Sequence, residues 1–260
     1  MRAALIVNEV TANPARNLAR IVSAVEEAAS QGAELALLPE MAVTGFIHSV
    51  DPGHDLPLGT PVPGAVTRRL GDVAQRLGLY LAIGLLERAG GALYDSGVLL
   101  SPEGPIALRY RRLHPRWHGW GADPAVYRQG TTLRSSDTPL GRFAFLICGD
   151  LFDDCIVVRA RDLRPDWLLC PYARCFSDGS RSQRRWERRE LPHYLAQVQR
   201  VKCTTLMVNY CSGRDLDSYF GGAMVISGSG ELLAHLPLGE PGALVVDLPG
   251  PAPGALSRGR

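Results

Sequence analysis

The chain has 260 residues, 46% of them hydrophobic, and a formal net charge of +2 at neutral pH. At this length roughly three quarters of the extended surface can be buried, which suits one large domain or two tightly fused halves. So small a charge excludes the strongly basic footprint of a nucleic-acid or anionic-membrane binder.

Lys202 is the single lysine among 28 basic residues, so arginine supplies almost all positive charge. Cys148, Cys155, Cys170, Cys175, Cys203 and Cys211 show neither C-x-x-C spacing nor alternation with histidine, and read as reduced thiols of a cytoplasmic protein without a metal site. In the opening "MRAALIVNEV", Asn8 and Glu9 interrupt the apolar run too early for a signal peptide. No uncharged apolar run is long enough to span a bilayer.

In chain order, "AALIVNEV" predicts a buried strand, and Asn13-Pro14 supplies an N-cap followed by proline at the first helical position. Leu18, Ile21, Val22, Val25 and Ala29 recur at helical spacing up to Gly32. "LALLPE" is the next strand. A second helix follows Pro63-Gly64 and leads into the strand "LYLAIGLLE". "DSGVLLS", a turn at Pro102-Glu103-Gly104 and "PIALRYRRL" add a hairpin. Residues 115–135 form an irregular loop longer than an ordinary connection, the kind that binds something or is disordered. Then come strand "FAFLICGD", a helical 153–164, strand "WLLCPYA", a charged helical 180–202, and strands "TTLMVNY", "GAMVIS", "ELLAHLP" and "ALVVDL". The pattern is a layered α/β domain over residues 1–250 with a flexible tail at 251–260.

Ligands of α/β sheets sit beyond the carboxyl ends of strands. Glu40 follows "LALLP", Arg112 closes "IALRYRR" and Cys148 closes "FAFLIC". A carboxylate, a cation and a thiol at such ends are the parts of a nucleophilic site: base, oxyanion stabiliser and nucleophile. Singly each signal is weak, since a cysteine ending a buried strand is more often a small core residue. A dinucleotide-binding domain is disfavoured because no G-x-G-x-x-G opens a helix after the first strand, and "SGSGELL" at 227–233 reads as a turn.

Taken in order, "LALLPEMAVTGF", "YRRLHP" and "FLICGDLFDD" resemble the three signature segments of the nitrilase superfamily of carbon–nitrogen hydrolases. "VNYCSG", "YFGGAMVISGSGELLA" and "GALVVDL" resemble its closing segments, so the likeness spans nearly the whole chain. The resemblance implies a four-layer α-β-β-α sandwich with two mixed sheets face to face, paired into a homodimer or larger homo-oligomer. It also implies hydrolysis of a small amide, carbamoyl or nitrile substrate through a cysteine thioester, with no cofactor.

By the same likeness Glu40 matches the general base, Cys148 the nucleophile and the N–H of Gly149 the backbone oxyanion donor. Arg112 stands where the family has lysine. Asp123, counted on without gaps, stands where it has a second glutamate. A longer cation facing a shorter anion suggests a compensating Arg112–Asp123 pair. The alternative is a catalytically silent relative that binds an anionic ligand or partner through Arg112. Trp117, His118, Tyr172 and Arg174 are the substrate-binding candidates, with Trp120 at the entrance. Asp150, Asp153 and Asp154 are candidate caps of the helix after the nucleophile strand.

Overall fold

Asn13 opens the first helix by the chemistry its position predicts, its side chain accepting a hydrogen bond from the N–H of Arg16 at 3.0 Å. The structure, a computed structural model, describes residues 1–46, 49–115, 117–119, 121–213 and 218–250; the tail at 251–260 and Trp120 lie outside these. In chain order the strands are β1 (Arg2–Val7), β2 (Glu9–Val10), β3 (Leu35–Leu37), β4 (Tyr80–Ala89), β5 (Ala92–Leu100), β6 (Ile106–Arg111), β7 (Ser135–Thr138), β8 (Gly141–Phe145), β9 (Trp167–Pro171), β10 (Thr204–Val208), β11 (Cys211–Ser212), β12 (Ala223–Ile226), β13 (Leu232–Leu236) and β14 (Gly242–Asp247). The helices are α1 (Pro14–Ser30), α2 (Pro52–Leu58), α3 (Ala65–Leu77), α4 (Asp154–Asp162), the single turn α5 (Gln183–Arg185) and α6 (Leu191–Val201).

Two six-stranded sheets, in the orders β14-β1-β3-β4-β5-β6 and β13-β12-β10-β9-β8-β7, carry the fold. In each, three parallel strands lie beside antiparallel neighbours. The facing sides form one apolar layer that includes Leu5, Leu37, Leu99, Phe143, Phe145, Leu169, Leu206 and Val225. Leu18, Ile21 and Val25 of α1 and Leu70 and Val73 of α3 cover the outer face of the first sheet. Ile156 and Val157 of α4 and Tyr194 and Val198 of α6 cover the second. This is the four-layer α-β-β-α sandwich expected from the sequence, each central strand buried on both faces.

Two local features depart from the sequence reading. Residues 52–58, read as loop, form α2, capped by Asp51 with Pro52 in its first turn. The charged segment expected as one helix over 180–202 instead passes from α5 through a π-type turn at Trp186–Glu190 before Pro192 opens α6. Among the described residues no helix is long and apolar enough to cross a membrane.

Candidate active site

Glu40 stands in the turn that follows β3, fully buried, with Met41 beside it in the left-handed region at φ 48°. Gly84 of β4 makes room for this turn. A Cβ there would lie 2.5 Å from the Glu40 Cα and 2.6 Å from the Pro39 carbonyl oxygen. Because backbone rather than a flexible side chain stands in the way, Gly84→Ala is expected to destabilise the protein by about 1–3 kcal/mol in urea denaturation.

The run "RYRR" is resolved by strand alternation. Arg109 and Arg111 both hydrogen-bond Glu87 on the outer face of the first sheet, where Ser96 also donates to it at 2.7 Å. Burial alone would raise the Glu87 carboxyl, but the hydrogen bonds from Arg111, Ser96 and Arg109 hold it below its ordinary value. Tyr110 and Arg112 turn the opposite way, toward the second sheet.

Cys148 ends the segment after β8 at φ 47° and begins a short 3-10 turn, Cys148–Phe152. A left-handed backbone is uncommon for a residue other than glycine and recurs at functional sites. Asp150, in that turn, does not cap the following helix; Asp153 does, accepting from the N–H groups of Cys155 and Ile156. The Asp150 carboxylate instead accepts from the Tyr110 hydroxyl at 2.6 Å, the His114 N–H at 2.7 Å, the Ile147 N–H at 2.9 Å and the Leu113 N–H at 3.1 Å. One buried carboxylate thus ties the end of β6, which Arg112 follows directly, to the turn that carries Cys148. Asp150→Ala leaves the buried Tyr110 hydroxyl and Ile147 N–H and two part-buried N–H groups without this acceptor, and is expected to cost at least about 3 kcal/mol in chemical denaturation.

Glu40 and Arg112 meet as the sequence suggested, with Arg112 Nη1 donating to Glu40 Oε1 at 3.0 Å. The second anion is not Asp123. Arg112 Nη1 also donates to Asp95 Oδ2 at 3.3 Å, whereas Asp123 is exposed, its carboxylate accepting from the N–H of Ala125. The expected Arg112–Asp123 pair is therefore replaced by Arg112–Asp95. Counting without gaps failed because Asp123 belongs to a surface turn, its carbonyl accepting from Val126 and Tyr127.

A Cβ on Gly149 would lie 2.5 Å from Arg112 Nη2, so the absence of a side chain at Gly149 is what lets the guanidinium lie against the Cys148 turn. Burial, the neighbouring Asp95 and Cys148 all raise the Glu40 carboxyl well above its ordinary value, against the opposing charge of Arg112. Burial likewise raises Asp95. For Arg112, burial works against the charge, but Cys148, Glu40, Asp95 and Asp150 outweigh it and keep the guanidinium protonated.

Residues 2–252 match the carbon-nitrogen hydrolase family model. The chain belongs to the carbon–nitrogen hydrolase family. An aliphatic nitrilase of Sinorhizobium fredii is 30% identical over 166 residues, 57% of this chain and 51% of that protein. An omega-amidase of Homo sapiens is 28% identical over 157 residues, 58% of this chain and 55% of that one. The chain spans about half the length of these curated relatives. A variant of the amidase from Nesterenkonia sp. AN1, solved with the product of Michael addition of acrylamide at its active-site cysteine, superposes with a TM-score of 0.79. It is 23% identical, with 96% of this chain and 93% of that chain covered, and the likeness shows the fold.

In this member of the carbon–nitrogen hydrolase family, Arg112, Cys148 and Gly149 line a cleft of about 370 Å³ with Phe152, Ala173 and Arg174. Glu190, His193 and Tyr194 complete the wall. The Cys148 Sγ lies 3.8 Å from the Ala173 carbonyl oxygen. Of the substrate-binding candidates, Arg174 lines this cleft and donates to Glu190 at 2.8 Å. Tyr172 is 1% exposed and stacks on Trp186, bordering a separate cavity of about 180 Å³. Trp117 and His118 form an aromatic group with Tyr127, with Trp117 Nε1 donating to the Arg128 carbonyl. Burial pushes the His118 imidazole down, helped by the Arg112 charge and opposed by its hydrogen bond to the Gly119 carbonyl. The sequence reading missed Asp95 altogether; its signal is an acid inside the apolar run "LYDSGVLL".

Proposed function

We propose that this chain hydrolyses the carbon–nitrogen bond of a small amide through a thioester on Cys148, with Glu40 as general base. The observation that carries the reading is the span of the Arg112 guanidinium: Nη1 is held by Glu40 and Asp95, while Nη2 ends beside Gly149 on the wall of the cleft that holds Cys148. Fixed in this way, the cation presents N–H groups where negative charge develops on an attacked carbonyl oxygen, with the backbone N–H of Gly149 as a second donor. A planar fork can face two directions at once, which a single ammonium cannot. Asp123, on the surface, takes no part.

In the first half-reaction the Cys148 sulfur attacks the carbonyl carbon, and the proton taken by Glu40 passes to the departing nitrogen. Water then attacks the thioester, its proton passing by way of Glu40 to the departing sulfur, so that the acid leaves and both the free thiol and the Glu40 base are restored. The cleft volume of about 370 Å³ suits a small substrate, and Arg174 and His193 give its mouth polar and cationic groups. Nitriles and carbamoyl compounds fit the same chemistry, because each offers an electrophilic carbon bound to nitrogen. A panel of small aliphatic amides and nitriles, read by ammonia release and by intact mass, is expected to give turnover and an acyl adduct on the Cys148 peptide. Ammonia release with no adduct on Cys148, or neither from any member of the panel, would count against the proposal. Assembly into a homodimer or larger oligomer belongs to the same reading, and light scattering measures it directly.

A further inference from the structure

Asp95 lies on the inward face of β5, in the same alternating row as Gly97, which meets the Phe145 ring, and Leu99 of the inter-sheet core. Its backbone carbonyl accepts from the Arg112 N–H at 2.8 Å and its carboxylate accepts from Arg112 Nη1, so main chain and side chain both fix it to the same residue. Arg112 Nη1 thus serves two buried carboxylates, and each keeps one oxygen, Glu40 Oε2 and Asp95 Oδ1, that is buried and receives no hydrogen bond from an N–H or hydroxyl among the described residues. The two carboxyl groups thus converge on a single nitrogen, Arg112 Nη1, at 3.0 Å and 3.3 Å. Like charges fully removed from water cannot both persist on one cationic nitrogen.

We propose that Glu40 and Asp95 share one proton in the resting site, and that Asp95 is a positioning residue that orients the Glu40 carboxyl and sets its basicity. The shared proton satisfies the two orphan oxygens, and the single negative charge that remains is balanced by Arg112. The other ionisable groups facing the pair are Cys148, Tyr210 toward Glu40 and Tyr110 toward Asp95. Burial raises both tyrosines well above their ordinary values, so they stay neutral and leave the charge balance unchanged.

This inference rests on the proposed function for its catalytic consequence. When the S–H bond of Cys148 breaks, its proton forms an O–H bond on Glu40, the pair becomes fully protonated and the negative charge moves to sulfur. Arg112 stays within reach of that charge throughout. The proton on Glu40 is the one later passed to the leaving nitrogen, while the proton held with Asp95 does not leave the pair.

Infrared difference spectroscopy at neutral pH reads the shared proton without reference to activity. The wild-type protein is expected to show the carbonyl stretch of a protonated carboxylic acid that disappears in both Glu40→Gln and Asp95→Asn, because either change leaves one carboxylate facing Arg112. No such band distinguishing wild type from Glu40→Gln, or the band at full intensity in Asp95→Asn, overturns the proposal. The pH profile of Cys148 alkylation is the second reading. In Asp95→Asn, where Glu40 no longer shares a proton with a second carboxyl, the profile is expected to move by at least about one pH unit. An unmoved profile in a folded Asp95→Asn protein also overturns the proposal. Should that variant not fold, the wild-type and Glu40→Gln spectra still decide. Failure of the functional reading looks different: Cys148 would then label no faster than the exposed Cys155, whatever the infrared band shows.

Discussion

Turnover of an amide substrate is expected to fall by at least about 10⁴-fold in Cys148→Ala, where the nucleophile is gone, and by about 10²–10⁴-fold in Glu40→Gln, where only the base is lost. Glu40→Gln is expected to differ from the wild type in stability as well as in rate. Glu40 is fully buried and burial, Asp95 and Cys148 raise its carboxyl above the ordinary value, so the folded protein holds this proton more tightly than the unfolded chain. For a group raised in this direction, the contribution to stability is complete below pH 4.5, the ordinary glutamate value, and is lost as the pH rises through the folded value. The wild type should therefore lose stability relative to Glu40→Gln as the pH is raised from 4.5 upward. Urea midpoints measured across that range give the comparison, and a variant that is inactive yet more stable at neutral pH is the expected outcome. Equal pH dependence in the two proteins would show that Glu40 does not carry the tension described.

Arg112→Ala is expected to be the most damaging single change to the fold of the site. It removes the cation shared by Glu40 and Asp95, both fully buried, and breaking a buried pair from one side costs about 3–5 kcal/mol. On the proposed function it also removes an oxyanion donor, for which a loss of about 10²–10³-fold in kcat is usual. Thermal denaturation and steady-state kinetics on the same preparation separate the two effects. Arg112→Lys is the more informative partner experiment, because it restores the charge at a position where the family pattern has lysine. A single ammonium cannot hold Glu40 and Asp95 and also reach the wall beside Gly149, so the exchange is expected to lower turnover. A lysine variant as fast as the wild type would mean that the guanidinium fork is dispensable.

The fold was legible because its strands announce themselves as apolar runs and its main helices as apolar stripes, and because the residues that close three strands are the ones brought together. Strand alternation alone separates Arg109 and Arg111, which serve Glu87, from Arg112, which faces the cleft. Asp95 was harder to see for a geometric reason. Counting back from a turn centred on Glu103 places Asp95 opposite Arg111, but a register shift between Leu99 and Leu100 pairs Ser96 with Arg111 and brings Asp95 to Arg112. A one-residue slip of this kind exchanges the two faces of a strand and is invisible in composition. Asp123 was misplaced because a gap-free count through a long loop carries no information about where its backbone turns. Asp150 read as a helix cap from its position, whereas its four hydrogen bonds come from the hydroxyl and backbone groups of two separate segments, a relation only the folded chain supplies.

On the proposed function Cys148 is the nucleophile, sharing a cleft with Arg112, whose guanidinium holds Glu40. Among the other thiols, burial raises Cys170 well above its ordinary value, pushes Cys203 up to about 12 and, with help from Glu240 and Glu9 and against Arg181, Cys211 up to about 11, so the rival targets are Cys155 and Cys175. The most direct measurement is the rate of alkylation at each cysteine by a small reagent, followed by peptide mass spectrometry across pH in the wild type, Glu40→Gln and Arg112→Ala. Cys148 is expected to label ahead of Cys155 and Cys175, and both substitutions to change its rate and pH profile without altering theirs. Labelling of Cys148 at the pace of Cys155, indifferent to both substitutions, would contradict the proposed function.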